Sequence, residues 1–252
     1  MSDSYEKYSD VVANYIRYRP RYPQSIIERL QEACDLSTET VIADIGSGTG
    51  LLSQIFVNNG NPVFAVEPNQ EMREAAEQEI NAPSFSSADG TAEATGLADN
   101  SIDMITVAQA FHWFDREKCR PEFLRILKAQ GWLVLVWNLF RGDETDFMRA
   151  FEAFWLDYVN PGEMFHSRQR PAYIDEFYGD NPVTEISLDN YQVFDFDGFK
   201  GRILSAGRAP KPDDERYPHM LNALTEIFEA HQLDGQVTIK YDTQLIYGKL
   251  TD

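Results

Sequence analysis

Five residues in the first third of the chain have the types and spacing of a nucleotide site: Asp44, Gly46, Gly48, Gly50 and Glu67. The apolar run around Val41-Ile42-Ala43 predicts a short buried strand over about 40–44, and an apolar-periodic helix follows over about 50–59. Between them lies Gly46-Ser47-Gly48-Thr49-Gly50. Strand, glycine-rich turn and helix in that order open a Rossmann-like βαβ unit, where a missing Cβ lets backbone press against a ligand. Seventeen residues beyond Gly50, a second apolar run, Val63-Phe64-Ala65-Val66, ends in Glu67 and Pro68. A carboxylate there can accept both hydroxyl protons of a ribose.

The glycine spacing narrows the nucleotide. A dinucleotide fingerprint reads G-x-G-x-x-G and sets a pyrophosphate on the helix N-terminus. This chain reads G-x-G-x-G, with Asp44 two residues ahead of the first glycine. A carboxylate there repels a pyrophosphate and suits a ligand that carries an ammonium group and no phosphate. S-adenosylmethionine has that character, and D-x-G-x-G-x-G with a downstream acid resembles the first two motifs of class I S-adenosylmethionine-dependent methyltransferases. The competing reading of the glycines is a tight strand-to-helix turn with no ligand.

Composition bounds the rest. The 252 residues suffice for one α/β domain with a small insertion. A formal net charge of −19 disfavours a nucleic-acid substrate, since phosphate binding needs a surplus of Lys and Arg. Cys34 and Cys119 have no metal-ligand spacing and are too few for a disulfide framework. No metal is expected. The polar N-terminus lacks the apolar segment of a signal peptide, and no run approaches a membrane span, so a cytoplasmic protein is expected.

Further along, strands are expected near 84–88, 102–107, 132–137 and 185–194, with a last strand pair or one long strand over 237–249. Helices are expected near 24–33, 70–80, 117–128, 144–159, 197–206 and 213–232, and 160–182 reads as irregular. Asn69 is a candidate N-cap for the helix at 70–80. Alternating strands and helices predict a doubly wound α/β fold. The resemblance makes it a Rossmann-like, seven-stranded, mostly parallel sheet with an antiparallel last strand. Within a single domain, residues 1–22 are expected as an N-terminal helical arm and 35–138 as the cofactor-binding half. Residues 139–182 are expected as a lid insertion, and 183–252 as the closing strands and helices.

Other candidates come from the same resemblance. Gly90-Thr91-Ala92-Glu93 sits where this class binds adenine; the family often has aspartate at the place of Thr91, so the amino contact falls to another group, while the Ala92 N–H suits the ring. Gln109-Ala110-Phe111-His112-Trp113-Phe114-Asp115 follows the carboxyl end of strand four and resembles the small-molecule group called type 11, which includes trans-aconitate methyltransferase-like members. There Gln109 is a candidate for cofactor or catalysis, and His112 is either a general base or a histidine bonded to backbone. Tyr18 and Arg19, in Tyr-Arg-Pro-Arg-Tyr-Pro, follow an arm that covers the cofactor in the family; Arg19 then pairs with the methionine carboxylate, or is a solvated surface arginine. His166, Arg168 and Arg170 form a basic cluster that either holds a substrate carboxylate or is an exposed loop. Aromatics over Phe147–Phe165 suit an enclosed pocket for a small methyl acceptor.

The resulting expectation is methyl transfer from S-adenosylmethionine to a small molecule, with a carboxylic acid ahead of a phenol or amine. The alternatives are a non-catalytic cofactor-binding module and an NAD-linked oxidoreductase, which G-x-G-x-G and Asp44 disfavour.

Overall fold

The computed structural model describes residues 16–160 and 170–251. Helix α1 is Ser25–Cys34, followed by β1 (Ile42–Ile45), α2 (Ser53–Asn59), β2 (Val63–Val66), α3 (Gln70–Glu79) and β3 (Phe85–Ala88). Then come β4 (Ile102–Ala108), α4 (Arg116–Ile126), β5 (Leu127–Phe140), α5 (Asp146–Phe154) and α6 (Ala172–Tyr178). The chain closes with β6 (Val183–Phe194), α7 (Phe196–Leu204), α8 (Tyr217–His231) and β7 (Val237–Lys249). Seven strands form one sheet in the order β3-β2-β1-β4-β5-β7-β6. The first five are parallel to their neighbours. β7 is antiparallel to β5: Arg141 N–H donates to Lys240 O, and Leu250 N–H to Gly131 O, so the register runs in opposite directions.

The chain divides into two compact units. One comprises Arg21–Asn138, Gln169–Leu188 and Thr243–Asp252; the other comprises Met1–Pro20, Leu139–Arg168 and Asp189–Asp242. The segment expected as a lid, 139–182, is therefore split between them. Its irregular reading also gives way over Ala172–Tyr178, which is helical. There Ile174, Phe177 and Tyr178 bury their side chains, and tertiary packing supplies what seven residues of local propensity cannot. The expected N-terminal arm lies mostly outside the described residues; residues 16–18 are helical.

In the first unit the central strands β1, β4 and β5 are largely apolar on both faces, as a parallel sheet covered by helices requires. Ala43, Ile45, Ile105, Val107, Leu133 and Leu135 pack on one face with Phe123 of α4 and Phe177 of α6. Ile42, Met104, Val134 and Val136 pack on the other with Ile27 and Leu30 of α1 and Phe56 of α2. The period-two alternation separates the two sets. Each set contains one free cysteine, and burial pushes both thiols up to about 12, Asp35 adding to the effect at Cys34.

The second unit has its own core. Phe147, Phe151 and Phe154 of α5 face inward with Phe199 and Ile203 of α7 and Met220 and Leu224 of α8. Their i, i+4, i+7 spacing places them on one helix face. The aromatic run expected to line a ligand pocket is thus mainly structural core, while Trp155 is partly buried.

Candidate functional site

The chain reverses its order across the sheet at β1: β2 and β3 lie to one side of it, and β4 lies to the other. In open α/β sheets the crevice outside the carboxyl ends of such strands is the place for a ligand. Four sequence-predicted groups lie at those ends. Gly46 follows β1, Glu67 follows β2, Asp89-Gly90-Thr91 follows β3 and Gln109 follows β4.

Backbone amides draw the first two together. Gly46 and Ser47 N–H groups donate to Val66 O at 2.8 and 3.2 Å. Gly48 N–H donates to Glu67 Oε2 at 3.0 Å, and Asn69 N–H to its Oε1 at 2.9 Å. Gly48 has φ +56°, which suits glycine, and a Cβ built there meets nothing within 4 Å. Gly46 has a different use: its Cβ would lie 2.9 Å from Ala110 Cβ, so the loop after β4 packs directly on the first glycine. Pro68 completes the turn into α3, where Asn69 Oδ1 caps the helix by accepting from Met72 N–H at 3.0 Å, as expected from its position.

Asp44 is placed otherwise than a ligand-facing acid would be. It is 0% exposed; its Oδ2 accepts from Ser53 Oγ at 2.6 Å and its Oδ1 from Thr106 Oγ1 at 3.0 Å. The carboxylate therefore ties β1 to α2 and β4 beneath the glycine loop. Burial raises its pKa to about 6, against the opposing pull of the Ser53 and Thr106 hydroxyls.

The loop after β3 is closed on itself. Thr91 N–H donates to Ala94 O and Ala94 N–H to Thr91 O. Ala92 is buried. Burial opposes ionisation of Glu93, yet the Asp115 N–H and the Thr91 hydroxyl outweigh it and hold the carboxyl below its ordinary value. Thr91 and Glu93 thus lash this loop to Asp115, the N-cap of α4.

Gln109 has φ +57°, a conformation uncommon for a side-chain-bearing residue and found where surrounding structure enforces it. Its N–H donates to Val136 O, and its Nε2 to Asn138 O at 3.3 Å. Asn138 is held in turn by Thr243, whose hydroxyl donates to Asn138 Oδ1 at 2.6 Å. His112 occupies a single 3₁₀ turn, Phe111–Trp113, between a fully buried Phe111 and a 75% exposed Trp113. The His112 and Trp113 rings are 4.8 Å apart.

The remaining candidates separate. Tyr18 and Arg19 lie in the second unit, where Arg19 Nη2 donates to Ser205 O at 3.2 Å and Gln192 Nε2 donates to both their carbonyls. Arg170 is committed to Asp175 at 2.6 Å and Glu185 at 3.2 Å, so it does not stand ready for a substrate carboxylate. His166 and Arg168 are outside the described residues. Among the described residues there is no cluster of three or more His, Cys, Asp or Glu that could hold a metal, and no helix is long and apolar enough to cross a membrane.

Several supporting residues were missed from sequence. Arg73 on α3 donates to Glu67 O at 2.7 Å and pairs with Asp89 at 3.1 Å, joining the loops after β2 and β3. Glu122 accepts from the N–H and hydroxyl of Thr95, and Arg125 holds its carboxyl down at about 2. Ser53 and Thr106 had no signal beyond a hydroxyl in an otherwise apolar stretch.

This geometry agrees with the relatives. Residues 43–135 match the family model described as a methyltransferase domain. An uncharacterized methyltransferase of Mycobacterium tuberculosis is 39% identical over 131 residues, 52% of this chain and 51% of that protein. The match thus spans about half the length of that relative. One of Schizosaccharomyces pombe is 25% identical over 244 residues, covering 93% of this chain and 95% of that protein. A solved structure from Anaeromyxobacter dehalogenans, provisionally assigned as a type II methyltransferase, has a TM-score of 0.72 at 21% identity and covers 92% and 98% of the two chains. That likeness carries the fold. Together these matches make residues 43–135 similar to a methyltransferase domain.

Proposed function

We propose that the chain binds S-adenosylmethionine and transfers its methyl group to a small molecule. The carrying observation is the Glu67 carboxylate beside the Gly48 amide at the switch point of the sheet. Each oxygen there accepts one backbone N–H, which leaves further lone pairs for ribose hydroxyls. The open backbone of Gly48 admits close approach, and no basic side chain waits for a pyrophosphate in Gly46–Gly50. Thr49, with a buried hydroxyl that lacks a partner, adds a donor in the same turn.

When bound, the cofactor supplies a methyl group already activated by its sulfonium. The chain's own residues need then only orient the reactants and exclude water. Glu67, Pro68 and the glycine loop would hold the adenosine ribose and methionine side, and Thr91, Ala92 and Glu93 frame the adenine end. Gln109, and with it His112, would face the acceptor; His112 would act as base only for an acceptor that must lose a proton. Tyr18 and Arg19 are assigned to the methionine carboxylate on the resemblance alone. An acceptor other than nucleic acid accords with the acidic composition.

Calorimetry tests the reading. S-adenosylhomocysteine is expected to bind and NAD is not; heat from NAD alone would overturn it. Release of S-adenosylhomocysteine against a panel of small acids, phenols, amines and thiols separates an enzyme from a silent binding module.

A further inference from the structure

Among the described residues, Asp35, Asn100, Gln109, Gln130 and Asp234 are those other than glycine with a positive φ. Asn and Asp adopt that conformation readily, because a short polar side chain can bond to nearby backbone. Gln130 lies on the exposed start of β5. Gln109, at φ +57°, is partly buried at the carboxyl end of β4, and its conformation is enforced by what surrounds it.

The enforcing element is β5. Ala108, the last residue of β4, pairs with Val136. Beyond that pair, Gln109 N–H donates to Val136 O at 2.9 Å and Gln109 Nε2 to Asn138 O at 3.3 Å. Backbone and side chain of one residue are thus both tied to the same strand. Asn138 is 7% exposed and stands opposite Thr243 of β7, in the register that sets Arg141 against Lys240 and Gly131 against Leu250. The Thr243 hydroxyl donates to Asn138 Oδ1 at 2.6 Å. Thr243 and Leu245 share the buried face of β7, where valine would have the same shape as threonine and no hydroxyl to desolvate. A hydroxyl there contributes through its bond rather than through packing. Gln109, Asn138 and Thr243 all belong to the first unit.

The other end of this chain of contacts is the glycine turn. Gln109 leads into Ala110, and a Cβ at Gly46 would lie 2.9 Å from Ala110 Cβ and 3.2 Å from Phe114 Cζ. A displaced Gln109 therefore carries Ala110 against, or off, the first glycine. We propose that Asn138 and Thr243 are positioning residues: they hold Gln109 in its left-handed conformation and, through Ala110, fix the glycine turn of the crevice. On the cofactor reading, on which the functional half of this assignment rests, affinity for S-adenosylmethionine then depends on a hydroxyl of β7, separated from β1 by β4 and β5.

The test uses Thr243→Val, which keeps the shape and removes the hydroxyl, and Thr243→Ser, which keeps the hydroxyl. Asn138→Ala removes the same bond from the other side and is the second variant should Thr243→Val not fold. In the full chain without ligand, amide hydrogen exchange at Gln109 and Ala110 is expected to quicken about fivefold in Thr243→Val, the usual worth of one hydrogen bond. Exchange at Ile105 and Val107 is expected to stay unchanged, and Thr243→Ser to exchange as wild type does. In calorimetry, S-adenosylhomocysteine is expected to bind about fivefold more weakly to Thr243→Val and as tightly as wild type to Thr243→Ser. Unchanged exchange at Gln109, equal quickening along β4, or no rescue by serine would each overturn the positioning. Local quickening with unchanged S-adenosylhomocysteine affinity would overturn the link to the glycine turn. If wild type takes up no S-adenosylhomocysteine, the cofactor reading falls, and hydrogen exchange alone decides whether the pair positions Gln109.

Discussion

Asp44 and Arg202 are both sealed from solvent, one in each unit, yet only one of them can shed its charge. Asp44 meets two hydroxyls, and a proton at pH below about 6 removes what burial makes costly. Arg202 has one phenol, two aromatic faces and an unfilled Nη1, and arginine has no neutral form within reach. The first is a self-contained structural tie beneath the glycine loop. The second keeps its charge, held over two aromatic rings. A buried charge is thus read by whether its neighbourhood can neutralise it, rather than by burial alone.

The largest expected effect tests that contrast directly. Folding raises the Asp44 pKa from 3.8 to about 6, so the proton stabilises the fold fully below pH 3.8, and that stabilisation is lost as pH rises through about 6. The stability of wild type relative to Asp44→Asn should therefore fall by about 2 kcal/mol between pH 4 and pH 7 in urea unfolding. Arg202→Met should differ from wild type by an amount flat over the same range. A flat Asp44 difference, or a sloping Arg202 one, would break the comparison.

Glu67→Ala comes next. It should weaken S-adenosylhomocysteine binding by roughly 1.5–3 kcal/mol, the usual worth of hydrogen bonds to a charged group. Unchanged affinity in a folded variant would show that this carboxylate only caps the glycine loop, as it does through Gly48 and Asn69. Gly50→Ala should cost about 1–2 kcal/mol in thermal or urea unfolding, since φ is +77° there and the new Cβ would lie 2.6 Å from Ile80 Cδ1. The smallest effect is Asn69→Ala, about 1 kcal/mol from the lost cap of α3. Its stability loss should appear without the larger affinity loss of Glu67→Ala, which separates the loop's fold from its ligand chemistry.

Legibility followed the range of the interactions. β1, β2 and β4 were readable because buried parallel strands are short apolar runs, whereas β3, Phe-Ser-Ser-Ala and only partly buried, was poorly marked; β7 was placed over 237–249 from its own pattern. β5 runs farther than expected, Leu127–Phe140 rather than 132–137, because ladder pairing with its neighbours carries the strand through less apolar residues. The helix expected over 144–159 ends as α-helix at Phe154 and continues as a π turn, Trp155–Val159. Its aromatics read as pocket wall because composition alone cannot tell an inward face from a ligand-facing one.

The sequence by itself determined the nucleotide-site pattern: three glycines after a buried strand, an acid after the next, and the alternation that makes a doubly wound sheet. Those are statements about neighbours along the chain, where spacing and steric freedom suffice. Only the tertiary structure decided what each side chain faces. It turned Asp44 inward to Ser53 and Thr106, set Glu93 on Asp115, occupied Arg170 with Asp175 and Glu185, and left Arg202 buried between Phe140 and Trp155. Arg202 and its tyrosine are 39 residues apart, and Asp44 and Thr106 are 62 apart. No local pattern encodes such pairs, because the energy of a buried charge depends on which distant groups folding brings beside it.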